Sequence, residues 1–249
     1  MSDTGPIMVM NMRCPICARV QGVCHSIRYT DELVVDWAQC YCGTMFHKEP
    51  IQASVWNEEY RKTWKEMKGI EERMDYWTRI YAPLIEDSIM GRKMLDVGYT
   101  HPTLIEAMGK RGWVSTGIDL IPDSIMTGDF EEYDFGFKAG DQKFDLIVFS
   151  HVLESMKNPE AALKKAHGLI NRESVVFISM PDPQMIFMTG AQNFGHLNAL
   201  EKRCLISRPE LEKMAQRCGF DVALSRTNTS RRFHSWYDTH MILTKRFTA

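Results

Sequence analysis

From residue 91 onward, apolar strand-like runs alternate with helix-like segments, and this alternation most limits what the chain can fold into. The run Phe144–Ser150 is apolar enough to be buried on both faces of a sheet. Asn158 and Pro159 then supply an N-cap and a first-turn proline for the next helix. Strands that alternate with helices predict an α/β fold with a parallel sheet wound on both faces.

The same patterns place the other elements of this part of the chain. Strands are predicted at residues 93–97, 113–120, 124–128 and 174–180, and helices at residues 102–111, 159–170 and 207–219. Ser207, with Glu210 three residues later, has the pattern of a capping box. Two last strands near residues 220–226 and 240–246 predict an antiparallel edge. We therefore expect a Rossmann-like, doubly wound, mostly parallel sheet with an antiparallel last strand.

Residues 51–90 read as a helical connector that precedes this sheet domain of residues 91–249. Aromatic and aliphatic residues recur there every three or four positions and form one stripe of a helix: Trp56, Tyr60, Trp64, Met67, Ile70, Met74, Trp77 and Tyr81. Gly69 can divide this helix into two, and Pro83 lies near its end. The stripe either packs on the following domain or closes a pocket as a lid, with Tyr76 and Tyr81 orienting an acceptor.

Two close cysteine pairs mark residues 1–50 as a small separate module. Cys14 and Cys17 form the first pair, and Cys40 and Cys42 the second. This spacing is typical of a zinc ribbon, in which four thiolates hold a structural Zn²⁺ and leave no position open for catalysis. The second pair has only one intervening residue, so Cys24, His25 or His47 remains an alternative ligand. Unligated thiols are the other interpretation, and Cys204 and Cys218 are expected to be buried thiols.

Charge and hydropathy limit the kinds of molecule and compartment that we expect for this chain. Lys and Arg number 30 and Asp and Glu number 32, a balance that does not favour a nucleic acid or a membrane surface. No apolar run approaches the roughly 20 residues that a membrane helix needs, and the first residues lack the pattern of a secretory signal. We therefore expect a cytoplasmic protein, in a compartment where disulfides are rare.

Acidic residues follow the predicted strands at positions suited to a nucleoside ligand. Asp96 and Gly98 end the first strand of the domain in a tight turn, which places backbone N–H groups beneath a ligand. Asp119 ends the second strand, where a carboxylate accepts hydrogen bonds from a ribose diol. Asp129 can accept from an adenine amino group, with Phe130 against the ring.

These elements resemble, in order and spacing, the class I S-adenosylmethionine-dependent methyltransferases of the small-molecule type. The resemblance covers about residues 90–246 and includes the strand at 144–150 with the His-Val-Leu-Glu run that follows it. It implies that Asp96 and Gly98 frame the methionine end of the cofactor, Asp119 the ribose, and Asp129 with Phe130 the adenine. The remaining predicted cofactor contacts are Tyr99, His101, Leu120, Ser150 and His151, with His151 on the floor near the sulfonium.

The turn departs from the family pattern in two positions. Thr100 and Pro102 stand where members usually carry glycines, and Tyr99 and His101 can contact the cofactor's amino acid end instead. A non-catalytic scaffold with a degenerate cofactor loop is therefore one alternative. An N-terminal zinc ribbon ahead of this fold resembles a subgroup that includes sugar C-methyltransferases, which implies O- or C-methylation of a sugar or related metabolite.

The acceptor must lose a proton, and histidine titrates near neutrality. His196, in the loop after the fifth strand, is the predicted general base, with His151 and Glu154 as alternatives. A nucleic-acid acceptor is a second alternative. It would use a basic segment interleaved with aromatic residues: Arg226, Arg231, Arg232, Phe233, Trp236 and Tyr237.

Overall fold

The computed structural model describes residues 12–20, 22–28, 34–47, 70–98, 102–118, 143–186, 202–228 and 237–246. The N-terminal part contains strands β1 (Gly22–Arg28), β2 (Val34–Cys40) and β3 (Met45–Phe46), and then helix α1 (Ile70–Glu86). The next elements are β4 (Lys93–Val97), α2 (Thr103–Gly109), β5 (Val114–Ile118), β6 (Phe144–Ser150), α3 (Pro159–Leu169) and β7 (Ile170–Pro181). The last are β8 (Cys204–Leu205), α4 (Arg208–Arg217), β9 (Phe220–Asn228) and β10 (Asp238–Lys245). Short 3₁₀ turns span Leu153–Ser155 and Pro183–Met185.

The main sheet has six strands in the order β5-β4-β6-β7-β10-β9. The pairs β4–β5, β4–β6 and β6–β7 are parallel, and β10 runs antiparallel to both β7 and β9. The predicted fold class, mostly parallel with an antiparallel last strand, is therefore confirmed. Strand β6 has the predicted bounds and β7 is longer than predicted, whereas the strand predicted at 124–128 lies outside the described residues.

Helices cover both faces of this sheet. On one face, α1 and α2 pack over a cluster that includes Trp77, Tyr81 and Phe177. On the other face, Leu163 of α3 and Leu211 of α4 share a second core cluster with the cysteine module. The described part of the α1 stripe is therefore packed on the sheet. None of the described helices is long and apolar enough to cross a membrane.

One helix cap follows the sequence pattern and the other does not. Asn158 Oδ1 accepts a hydrogen bond from Ala161 N at 3.0 Å, so the predicted cap of α3 is confirmed. Ser207 is the N-cap residue of α4, but its hydroxyl makes no cap hydrogen bond. The capping box prediction is wrong because Ser207 Oγ instead donates to the Cys42 carbonyl oxygen at 2.7 Å.

The small antiparallel sheet has the order β1-β2-β3-β8. Its fourth strand, β8, comes from residues after β7, and Phe46 of β3 pairs with Cys204. The sheet that contains the N-terminal strands is thus completed by a segment far along the chain. The predicted borders at residues 50 and 90 stay predictions.

Candidate functional site

The turn after β4 requires glycine at position 98. Gly98 has φ +82°, a left-handed backbone, and its N–H donates to Ile118 O at 2.8 Å. A Cβ atom there would lie 2.7 Å from Val152 Cγ2, which is too close for a real contact. Asp96, two residues earlier, is 5% exposed. The turn therefore brings the backbone unusually close to the segment that follows β6.

Proline at position 102 fits the start of α2. Pro102 is the N-cap residue with φ −70°, and its carbonyl oxygen accepts from Glu106 N at 2.9 Å. The missing N–H of a proline costs little there, because the first N–H groups of a helix have no intrahelical partner. This departure from the family pattern is compatible with the local fold.

The carboxyl ends of β4 and β6 meet at one edge of the main sheet. Val97 pairs with Phe149 in register, so Gly98 and Ser150 follow paired positions of neighbouring strands. His151 comes next, with φ +56°, an uncommon conformation for a residue other than glycine. Four of the predicted cofactor residues thus lie together at this edge: Asp96, Gly98, Ser150 and His151.

Both ring nitrogens of His151 face carboxylates. Its Nε2 lies 2.9 Å from Asp238 Oδ2, and its Nδ1 lies 3.7 Å from Glu154 Oε1. Asp238 begins β10, and Glu154 lies in the first 3₁₀ turn. The His151 backbone N–H also donates to Ser179 O at 2.8 Å. The imidazole is therefore fixed by groups from three parts of the fold.

Glu154 is fully buried and is paired with a buried lysine. Lys202 Nζ donates to Glu154 Oε1 at 2.7 Å, and Lys202 itself is 5% exposed. The Lys202 carbonyl oxygen lies 2.6 Å from His47 Nε2, and the Arg203 N–H donates to Glu154 O at 2.8 Å. Glu154 is thus neither solvated nor open to a substrate. The pair joins the edge of the main sheet to the small sheet.

Several predicted site residues lie outside the described part of the chain. They are Tyr99, His101, Asp119, Leu120, Asp129, Phe130 and His196. Sequence reasoning, in turn, missed Asp238 and Lys202. Neither belongs to a motif, and they lie 87 and 48 residues from the partners His151 and Glu154. No local pattern links such partners.

The described residues that the sequence suggested for orienting an acceptor or for binding a nucleic acid make contacts within the fold. Tyr81 is fully buried, and its hydroxyl contacts His240 Nδ1 and accepts from Arg226 Nη2 at 3.0 Å. Burial raises the pKa of Tyr81. Tyr237 packs against an apolar cluster that includes Trp37. Arg226 and Tyr237 therefore serve the fold, and Arg231, Arg232, Phe233 and Trp236 lie outside the described residues.

The four predicted cysteines converge on one point. All four Sγ atoms lie within 4.8 Å of one another, with 3.9 Å between Cys14 and Cys42 and 3.5 Å between Cys17 and Cys40. A tetrahedral Zn²⁺ with Zn–S bonds of about 2.3 Å requires sulfurs about 3.8 Å apart. The cluster therefore has the dimensions of a four-thiolate metal site. Its cysteines are not joined in disulfides.

The two histidine alternatives are engaged elsewhere. His25 Nε2 lies 3.0 Å from Gln39 Oε1, and His47 Nε2 contacts the Lys202 carbonyl oxygen. Within the cluster, the hydrogen bond with Cys14 lowers the pKa of Cys42 to about 4, whereas burial raises the pKa of Cys40 to about 11. Cys204 and Cys218 are each 6% exposed and buried as predicted, and burial raises the pKa of both thiols.

The second cysteine turn is bound to α4. Gly43 has φ +87°, and a Cβ atom on it would lie 3.1 Å from Ser207 Cβ. Ser207 Oγ donates to Cys42 O, and Ser207 N donates to Thr44 Oγ1 at 3.3 Å. The cysteine cluster is thus held against α4 by hydrogen bonds between Ser207 and residues 42 and 44, at a close approach that requires a small residue at position 43.

Curated proteins with related sequences are methyltransferases. The chain is 25% identical over 142 residues to the ubiquinone biosynthesis O-methyltransferase of Glaesserella parasuis, which covers 49% of this chain and 60% of that protein. It is 28% identical over 106 residues to the protein of the same name from Idiomarina loihiensis, which covers 37% and 44%. The chain therefore spans about 60% or less of these relatives.

Solved structures share the fold. A SAM-dependent methyltransferase from Archaeoglobus fulgidus superposes with a TM-score of 0.56 and 17% identity, over 76% of this chain and all of that one. Magnesium protoporphyrin IX methyltransferase from Synechocystis, solved with bound SAH, gives 0.55 and 14% identity over 78% of this chain and 97% of that one. A family model described as a methyltransferase domain matches residues 69–225. The chain therefore belongs to this family of methyltransferase domains.

Proposed function

We propose that this chain transfers the methyl group of S-adenosylmethionine to an oxygen or carbon of a small-molecule acceptor, a sugar or related metabolite. The observation that carries the proposal is the family match over residues 69–225, on a fold whose Gly98 turn lies at the carboxyl edge of the sheet. Ligands of open α/β sheets bind at that edge. The names of the curated relatives support a small acceptor.

The described residues fit the cofactor at the turn after β4. Gly98 lets the turn pass close to Val152 with a left-handed backbone, and Asp96 places a carboxylate at the end of the same strand. When bound, S-adenosylmethionine supplies a methyl group already activated by its sulfonium, so the protein mainly has to position the two substrates. Asp96 and Gly98 would hold the methionine end together with Tyr99 and His101.

The remaining cofactor contacts lie after the strand ends. Asp119 and Leu120 would hold the ribose, and Asp129 with Phe130 the adenine. Ser150 and His151, which come at the end of β6, would form the floor beneath the reacting group. Carboxylates around a cationic sulfonium are electrostatically favourable in a site that excludes water.

His196 is our candidate for the base that takes a proton from the acceptor. Glu154 is enclosed and bound by Lys202, so it cannot contact an acceptor directly and instead acts as a positioning residue. His151 turns both ring nitrogens toward Asp238 and Glu154, which suits a fixed floor better than a mobile base. Lys202 lies six residues after His196 and is itself fixed by its hydrogen bond to Glu154.

Cys14, Cys17, Cys40 and Cys42 would hold a structural Zn²⁺. The sulfur separations match tetrahedral thiolate coordination, and four protein ligands leave no open position for chemistry. The seven cysteines, none of them in a disulfide, support a reducing compartment such as the cytoplasm.

Calorimetry with S-adenosylhomocysteine tests the cofactor site without knowledge of the acceptor. We expect a saturable, one-site heat for the full chain. The absence of heat at millimolar ligand would overturn the proposal and favour a scaffold that keeps the fold alone. Methyl transfer from labelled S-adenosylmethionine into a panel of sugars and phenols then tests the reaction. His196→Gln should lower kcat without weakening S-adenosylhomocysteine binding, whereas the matched control His25→Gln should change neither.

A further inference from the structure

A cavity of about 530 Å³ lies between the first cysteine turn, β3 and the start of α3. Its apolar lining includes Ile16, Phe46, Met156 and Met214. A volume of this size is within the range of pockets that bind small molecules. Among the described residues, none of those proposed for the cofactor or for catalysis lines it. The cavity is therefore separate from the described residues of that site, which are Asp96, Gly98, Ser150, His151 and Glu154.

The charged residues of the lining are mostly basic. Lys157, Lys164 and Arg203 line the cavity, against the single carboxylate of Glu160 among the described lining residues. That carboxylate already binds Lys164 Nζ at 3.1 Å and Arg217 Nη2 at 2.9 Å. The cavity thus combines an apolar wall with a net positive rim, and its electrostatics favour an anion over a neutral or cationic guest.

We propose that this cavity binds a small organic anion, in which a carboxylate, phosphate or sulfonate is attached to an apolar body. The anionic group pairs with Lys157 and Arg203, and the apolar body packs on Ile16, Met156 and Met214. Apolar contact and the cations both contribute to the affinity, and the cations also fix the orientation.

The walls of the cavity connect it with both sites already described. Ile16 lies between Cys14 and Cys17, so the wall depends on the first cysteine turn. Arg203 donates its backbone N–H to Glu154 O, and Glu154 contacts His151. A bound anion therefore contacts elements that position the edge of the main sheet. The natural anion is either the methyl acceptor or an effector of the reaction.

Methyl NMR of the full-length protein, labelled with ¹³C-methyl methionine and saturated with S-adenosylhomocysteine, locates the binding. The probe is 8-anilinonaphthalene-1-sulfonate, an anion with an apolar body, and the neutral control is N-phenyl-1-naphthylamine. We expect the anion to shift the methyl signals of Met156 and Met214 and to leave that of Met108, on the opposite face of the sheet, unchanged. Equal shifts with the neutral probe, or shifts confined to other methionines, would overturn the proposal.

Removal of the cations tests their role. In the double variant Lys157→Gln/Arg203→Gln, the affinity for the anionic probe should fall about tenfold, as expected for the loss of two partly exposed ion pairs. Lys165→Gln, which removes a cation of α3 outside the lining, should leave the affinity unchanged. An equal affinity in the double variant contradicts the proposal.

The readouts separate this proposal from the proposed function. Probe shifts at Met156 and Met214 without any S-adenosylhomocysteine binding would support the cavity and refute the methyltransferase activity. Once an acceptor is identified, a raised KM for this acceptor in the double variant would show that the cavity binds the acceptor. An unchanged KM, together with loss of the effect of added anion on the rate, would show that the cavity binds an effector.

Discussion

The buried pair between Lys202 and Glu154 can be tested by its contrast with an exposed pair of similar length, Arg79 with Asp75. Lys202→Met keeps most of the side-chain volume but leaves the Glu154 carboxylate, 0% exposed, without its cation. Breaking a buried ion pair from one side costs about 3–5 kcal/mol, because one charge stays buried and uncompensated. For a chain of this size, each kcal/mol lowers Tm by about 2–4 °C. We therefore expect a fall of roughly 6–20 °C.

Arg79→Met is the control. Arg79 Nε lies 2.9 Å from Asp75 Oδ2, and the two side chains are 61% and 63% exposed. Exposed pairs contribute up to about 1 kcal/mol, so Tm should fall by at most about 4 °C. Differential scanning calorimetry at one pH and salt concentration gives both values.

The double variant Glu154→Leu/Lys202→Met completes the cycle. Removal of both charges should recover much of the stability that the single variant loses, because no charge then remains buried. Equal Tm losses in Lys202→Met and Arg79→Met would refute the reasoning. The reasoning would also be refuted if the double variant lost more stability than the two single variants lose when their losses are added.

Three further predictions concern the turn after β4, the cysteine cluster and the contact between α1 and α2. Gly98→Ala should weaken S-adenosylhomocysteine binding by about tenfold or more in calorimetry, because the clash with Val152 and the cost of a left-handed alanine, about 1–2 kcal/mol, displace the turn that would hold the ligand. Gly109→Ala, where nothing lies within 4 Å of the added Cβ, is the neutral control. Strong chelation should lower the zinc content measured by mass spectrometry from about one per chain and should also lower Tm, as expected for a structural site. The hydrogen bond from Arg111 lowers the pKa of Glu86, so its contribution to stability is present above the ordinary carboxyl pKa and disappears as pH falls through the lowered value. Glu86→Gln should therefore destabilise the protein in denaturant titrations at pH 7 and have no effect at strongly acidic pH.

Features fixed by neighbouring residues were predictable from the sequence. The apolar run of β6, the Asn158 cap and the alternation of strands and helices along the chain all depend on local patterns. The cysteine pairs were recognisable for the same reason, since each turn brings two close ligands to one side. Their convergence on a single point is what the chemistry of a shared metal requires.

Features fixed by tertiary contacts were not predictable. Asp238 and His151 are far apart in sequence and meet only because β10 lies next to β7, which in turn pairs with β6. Glu154 is buried because Lys202 returns to it from another segment. The sequence around Glu154 predicts a candidate base, but the role of this residue depends on Lys202, a partner that the local sequence does not contain.

Ser207 shows how such a contact overrides a local pattern and ties the cysteine module to the main core. Its hydroxyl would cap α4 in isolation, but it donates to the Cys42 carbonyl oxygen instead. Cys14 and Cys40 also share one buried cluster with Leu211 of α4. The four cysteines therefore also contribute a wall to the main core. A metal bound by them would stabilise the methyltransferase fold as well as its own module.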